Sequence, residues 1–222
     1  MRNAIIVSVM FVILLLLYAC FHPASQIFGK AENKAYTDKN IVALTFDDGP
    51  GNETEEILEV LKQYNVTATF FIIGERAEWH PETVKKISAL GHEIGTHGYS
   101  HKFFFENNYE DISKSKEVLE NITNKTIEYF RPPYGFRTPK TYKTAKELDL
   151  KIVTWNIFPM DFFELKEETI FRRTVRQLES GSIITLHDGP ENKEQTVNVL
   201  PKIIEEARNQ GFEFVTITKL LS

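Results

Sequence analysis

Asp47 and Asp48 stand side by side in the stretch "TFDDGP", Thr45–Pro50, directly after the apolar run "IVAL". Turn formation alone accounts for such a hexapeptide, because Asp and Gly favour turns and Pro cannot continue a central strand. Residues elsewhere change that reading. The segment "HGYSH" sets His97 and His101 four apart, a spacing that on a helix or tight turn brings both imidazoles near one point. One Asp with two His and open positions is a catalytic-metal set, and zinc suits those ligands. Arg131, in "FRPPYG" (Phe130–Gly135), carries a planar fork of donors suited to hold a carboxylate. The Pro pair beside it stiffens the loop, so that the backbone amides that follow can be aimed. Asp161 lies in "TWNIFPMDFF", and His187 with Asp188 ends "IITLHDG". His92, earlier in its own segment, is read as structural.

These residues need elements that bring them together. Strand-like runs fall at 41–46, 67–73, 92–95, 126–131, 151–155, 182–186 and 212–217, and helix-like stretches near 53–64, 81–90, 109–122, 139–148, 167–180 and 195–209. Asn52 with Glu55 reads as a capping pair, while Pro81 opens a helix that Gly91 closes. Strands alternating with helices, without an internal repeat, predict a parallel sheet with helical crossovers. Strands apolar on both faces suit a barrel or a doubly wound sheet. Sites in barrels gather at the C-terminal ends of the strands. Five of the seven expected strands end in the polar residues named above. Any one of them is incidental by itself; the set is not.

The chain has 222 residues, 42% apolar and 26% charged, enough for one large α/β domain. From Ala4 to Cys20 it is almost wholly apolar, with Arg2 before it and no acid until Glu32. That pattern predicts a signal segment or membrane anchor over 1–20. "LYAC" also resembles a lipobox that would place a lipid on Cys20, although Tyr18 stands where a small or β-branched residue is usual. Residues 21–39 read as a linker and 40–222 as the folded domain, lying outside the cytoplasm. Cys20 is the one cysteine, so the domain has no disulfide and relies on its core. A net charge of −5 argues against a nucleic-acid partner. A monomer is expected.

In the order "TFDDGP", "HGYSH", "RPPYG" and "LHD", the chain resembles the polysaccharide deacetylase family, which shares the NodB homology domain (carbohydrate esterase family 4). The resemblance covers nearly all of 40–220 and implies a distorted (β/α) barrel of about seven parallel strands. It implies that Asp48, His97 and His101 ligate a divalent metal, zinc first, with cobalt, nickel or manganese as alternatives. Asp47 would be the general base, held by Arg131, and His187 the general acid, oriented by Asp161. The backbone N–H of Tyr134 would help bind an oxyanion. Substrate contacts would fall to Pro133, Tyr134, Phe162, Thr185 and Leu186. Phe162 and Thr185 depart from the family's usual Trp and Leu, which bears on substrate preference rather than on metal or proton chemistry.

Two adjacent carboxylates then divide the labour, because consecutive side chains diverge: one faces the metal and the other the water. The expected activity is metal-dependent N-deacetylation of an extracytoplasmic amino-sugar polymer: peptidoglycan, a chitin-type oligomer or poly-N-acetylglucosamine. An O-acetyl esterase acting on xylan is the nearest alternative. A non-catalytic glycan-binding protein and a hydrolase of some non-polysaccharide amide are the others.

Overall fold

The run after Asn40 forms β1 (Ile41–Asp47), all seven residues of which are buried. This is a computed structural model, and it describes residues 2–101, 108–163, 165–189 and 193–222. β1 is flanked by β2 (Thr69–Ile72) and β6 (Ile183–His187), and the sheet continues through β3 (Glu93–Thr96), β4 (Tyr129–Phe130) and β5 (Lys151–Ile152) in the order β5-β4-β3-β2-β1-β6. β7 (Glu213–Val215) pairs with the start of β1. Every pairing is parallel. A parallel bridge from Ile157 to Ile184 brings the chain beyond β5 round to β6, so the sheet curls into a (β/α) barrel.

The period of two along β1 separates the layers. Val42, Leu44 and Phe46 pack in the larger core cluster, under the helices. Ile41 and Ala43 join Phe71, Tyr129, Val153, Trp155, Ile183 and Val215 in a second cluster inside the barrel. Continuing inward from the latter set, Thr45 and Asp47 on β1 and Thr185 and His187 on β6 make the barrel lining polar towards its C-terminal end. Gly95 makes room for this interior: a Cβ there would stand 2.6 Å from the Phe71 ring.

The crossovers are α2 (Thr54–Gln63), α3 (Gly74–Trp79), α4 (Pro81–Ala89), α5 (Tyr109–Thr123), α6 (Pro139–Glu147), α7 (Glu167–Val175) and α8 (Glu194–Asn209), with α9 (Ile217–Leu221) at the end. Pro81 opens α4, and Gly91, at φ +84, follows it as expected. The expected Asn52–Glu55 cap is not formed. The residue preceding α2 is Glu53, without a side-chain cap bond, and Thr54 Oγ1 accepts the Gly51 N–H instead. α3 and α9 were not legible, being only six and five residues long. β4 and β5 are two residues each, shorter than their apolar runs, because ladder pairing is confined to one register step at this curled side. His92 is buried at the base of β3, where its Nδ1 accepts the Ala68 N–H and burial lowers its pKa to about 4.

The N-terminal residues form α1 (Arg2–Phe21), whose side chains from Ile5 to Tyr18 are largely exposed. Among the described residues no helix is long and apolar enough to cross a membrane. The segment read as a linker lies against the domain. Glu32 accepts the Thr154 N–H and donates to Ile152, and Ala35 donates to Gly181. Ala31 and Ala35 are buried. Glu32 thereby supplies partners to the open edge of β5, and Lys34 and Ala35 pair with the chain entering β6.

Candidate active site

At the end of β1 the chain turns sharply. Asp48 takes a left-handed φ of 72°, so that Asp47 continues the inward face while Asp48 diverges from it. This turn and the one facing it after β6 leave no room for a Cβ. A Cβ on Gly49 would lie 2.1 Å from the Asp188 carboxylate, and one on Gly189 would lie 2.6 Å from the Asp48 carbonyl. Asp188 is itself buried and accepts the Thr54 hydroxyl at 2.7 Å. Burial, with Asp48 and Asp47 nearby, pushes its pKa up to about 7 against that hydrogen bond.

His97 follows β3 directly, and its Nδ1 donates to the Arg131 carbonyl at 2.6 Å, which leaves Nε2 with a free lone pair. His97 Nε2 is 3.3 Å and His101 Nε2 3.1 Å from the same oxygen, Asp48 Oδ1. One ligand atom from each of the three residues lies within 4.8 Å of the others. Asp48 Oδ1 is buried and lacks a hydrogen-bond donor. An anionic oxygen facing imidazole nitrogens, with no donor of its own, is the donor set a divalent cation takes, so the residues fit a metal.

On the other side of that turn, Asp47 accepts from Arg131 Nη1 at 2.6 Å. Arg131 is fully buried; the same Nη1 donates to Thr45 Oγ1 at 2.7 Å and Nη2 to the Thr154 carbonyl at 2.9 Å. Its guanidinium lies over the Phe71 ring, 4.0 Å from the centroid. The fork is thus fixed on three oxygens and one ring.

β1 and β6 pair in a register that sets Asp47 opposite His187. His187 Nδ1 donates to Asp161 Oδ1 at 2.8 Å, and the His187 backbone N–H donates to Asp161 Oδ2 at 2.8 Å. Thr196 and Gln195, at the start of α8, complete the shell of Asp161 through its Oδ2 and its carbonyl. Burial would lower the His187 pKa, but the Asp161 carboxylate, with Asp48 and Asp47 beyond it, raises it to about 9. The ring is therefore an imidazolium at neutral pH.

These groups open into a cavity of about 520 Å³, lined among others by Asp47, Asp48, His97, His101, Tyr134 and His187. Tyr134 sits in a one-turn 3-10 helix, Pro133–Gly135, at φ 58°, with its ring 4.8 Å from that of His101. Phe162 lines the wall, stacked on Phe158 and 5.4 Å edge-on from His187. Three residues expected to touch substrate do not reach the cavity. Pro133 is buried in its loop, and Leu186 points into the outer core. Thr185 is fully buried one layer below His187, beside Thr45. Sequence reasoning missed Thr45, Thr154 and Thr196, whose polar atoms orient the charged groups. It also missed Glu75, Arg76 and Trp79 of α3, Trp155, Phe158 and Lys193, which line the cavity. A threonine inside an apolar strand, such as Thr45, is the signal that was there to be read.

The family model for polysaccharide deacetylase matches residues 34–153. A peptidoglycan-N-acetylglucosamine deacetylase of Bacillus cereus is 38% identical over 83% of this chain and 89% of its own length. A solved structure of a peptidoglycan N-acetylglucosamine deacetylase superposes with a TM-score of 0.82 at 36% identity, covering 86% of this chain and 92% of the other. A pseudoenzyme of the same family from Bacillus anthracis superposes with a TM-score of 0.79 at 27% identity, covering 86% of this chain and 68% of the other. The chain belongs to the polysaccharide deacetylase family.

Proposed function

We propose that this chain is a metal-dependent N-deacetylase of a cell-wall amino-sugar polymer, with N-acetylglucosamine units of peptidoglycan as the leading substrate. One observation carries the reading: a carboxylate and two imidazoles converge on one point, with a second carboxylate, Asp47, and a third imidazole, His187, beside the same cavity. The relatives' activities favour peptidoglycan over xylan.

Asp48, His97 and His101 would hold the cation, zinc in the first instance. Bound there, it would supply a water of pKa ~7 and a polarised carbonyl. The chain's own groups do the rest. Asp47, fixed by Arg131, takes the proton of the attacking water. The Tyr134 backbone N–H donates to the oxygen that becomes negative as the carbonyl turns tetrahedral. His187 delivers its Nε2 proton to the leaving amine, and Asp161 holds the imidazolium ready. Water adds, the C–N bond breaks, and acetate and a free amino sugar leave. Residues 1–20 serve as the signal segment or membrane anchor that places the domain at the wall; the run of exposed apolar side chains on α1 supports this.

Acetate release by the full chain tests the reading. Chitopentaose and purified peptidoglycan serve as substrates, after chelation, with and without zinc. Zinc-restored release that Asp47→Asn abolishes is expected. Zinc binding without release from either substrate would overturn it, and release from acetylated xylan alone would transfer the site to ester chemistry.

A further inference from the structure

Two arginines are fully buried, and the chemistry above uses one of them. Arg131 has a carboxylate partner; Arg137 has none among the described residues. A buried cation without a counter-ion is costly unless dipoles replace one. For Arg137 the dipoles come from two places. Its Nη1 donates to the Gly135 carbonyl at 3.0 Å and its Nη2 to the His22 carbonyl at 2.6 Å. Its backbone N–H donates to the Cys20 carbonyl at 2.9 Å. Cys20 and His22 lie at the C-terminal end of α1, where free carbonyls carry partial negative charge. Gly135 lies in the turn that carries Tyr134.

Further contacts join the same two parts. The Phe21 and Phe136 rings stand 5.1 Å apart. Thr154 Oγ1 donates to the Pro23 carbonyl at 3.0 Å, while the Thr154 carbonyl accepts from Arg131. The exit of α1 is therefore hydrogen-bonded both to the loop bearing the oxyanion donor and to the residue that fixes the holder of Asp47.

We propose that Arg137 is a positioning residue, and that Cys20–Ser25, the segment it clamps, is a working part of the active site. Together they fix the Tyr134 backbone N–H, which stands in a left-handed conformation at φ 58° inside a turn closed by only the Gly135 and Phe136 amides. The role of that N–H rests on the deacetylase reading above; the seating of the segment does not. Residues at the end of α1 thereby join the catalytic loop, and the exit of α1 is held on the catalytic side of the barrel.

The test uses the full chain in detergent, as wild type, Arg137→Ala, Arg137→Lys and an insertion of two glycines between Phe21 and His22. The insertion moves Cys20 out of register while leaving every domain side chain in place, so it remains informative where Arg137→Ala does not fold. The expected result is a fall in kcat of about tenfold to a hundredfold for the insertion and for Arg137→Ala, short of the loss from deleting an oxyanion donor. KM and zinc affinity stay within threefold. Arg137→Lys, which can reach one of the two carbonyls, recovers part of kcat. Hydrogen exchange of the amides at 135–137, each bonded to a backbone carbonyl, should be slow in wild type and faster in the insertion, the Arg137 amide most of all. Wild-type kcat in the insertion, or unchanged exchange, would overturn the proposal. A wild type that releases no acetate sinks the deacetylase reading instead, and exchange then decides the seating alone.

Discussion

Arg131 and Asp47 meet at 2.6 Å inside the barrel, although the strands leading to them, β4 and β1, are separated in the sheet by β3 and β2. In a flat sheet three strand spacings are about 14 Å, well beyond one ion-pair contact. The curl of the sheet closes that gap, and the long Arg side chain spans what remains. The geometry of the candidate site therefore depends on barrel curvature, and a fully buried ion pair records it.

Removing one partner should be costly. Arg131→Met leaves the Asp47 carboxylate buried and unpaired, orphans the Thr154 carbonyl and takes one donor from Thr45 Oγ1, which keeps its bond to the Ile184 carbonyl. A loss of about 3–5 kcal/mol is expected, read from the urea unfolding midpoint of metal-free protein. Adding Asp47→Asn to it should recover part of that loss. If the single variant unfolds at the wild-type midpoint, the pair contributes nothing to the fold.

The pH response follows from His187. Its folded pKa of about 9 lies above the ordinary 6.5, so the folded state binds the proton more tightly. The stabilisation is fully present below about pH 6.5 and is lost as pH rises through 9. Asp161→Asn removes the main cause, so stability should become less dependent on pH between 7 and 9, with the melting temperature as readout. The alkaline limb of kcat/KM should move to lower pH in the same variant. Zinc, a nearby cation, should lower that limb in wild type relative to the metal-free stability profile. A limb that ignores Asp161→Asn would remove His187 from the role of acid.

Adjacent aspartates should respond oppositely to metal. Zinc at a hundred times its Kd should stabilise the wild type by about 2.7 kcal/mol, seen as a rise in melting temperature. Asp48→Asn and His101→Gln should abolish the rise. Asp47→Asn should keep it while losing turnover. If Asp47→Asn also loses the zinc response, the division of labour between neighbours is wrong.

Much of this site was legible because its chemistry sits in contiguous motifs at strand ends: Asp47 and Asp48, His97 and His101, Arg131, and His187 all stand where the strand pattern put them. What was illegible depends on curvature and on contacts remote in sequence. Nothing near Thr196 announces that its hydroxyl reaches Asp161, and no local pattern says that 21–39 covers the edge of β5. Thr185 shows the opposite failure. Family position placed it on the substrate wall, whereas its alternation with His187 along β6 turns it inward and one layer deeper.

That depth makes a sharp prediction for Thr185. Its Oγ1 is 3.4 Å from Thr45 Oγ1, a weaker contact than the 2.7 Å bonds that Thr45 makes with Arg131 and the Ile184 carbonyl. Thr185→Val should therefore cost less than the ~1 kcal/mol net worth of an ordinary hydrogen bond, and leave KM unchanged, because Thr45 keeps its two strong partners. Thr185→Leu, which restores the residue usual in the family, forces extra volume under the His187 layer and should cost about 1–3 kcal/mol. Its effect on turnover should then track the displacement of His187, appearing in kcat rather than KM. Chemical denaturation and steady-state kinetics on the two variants separate the cases. A tenfold change in KM at wild-type stability would return Thr185 to the substrate wall.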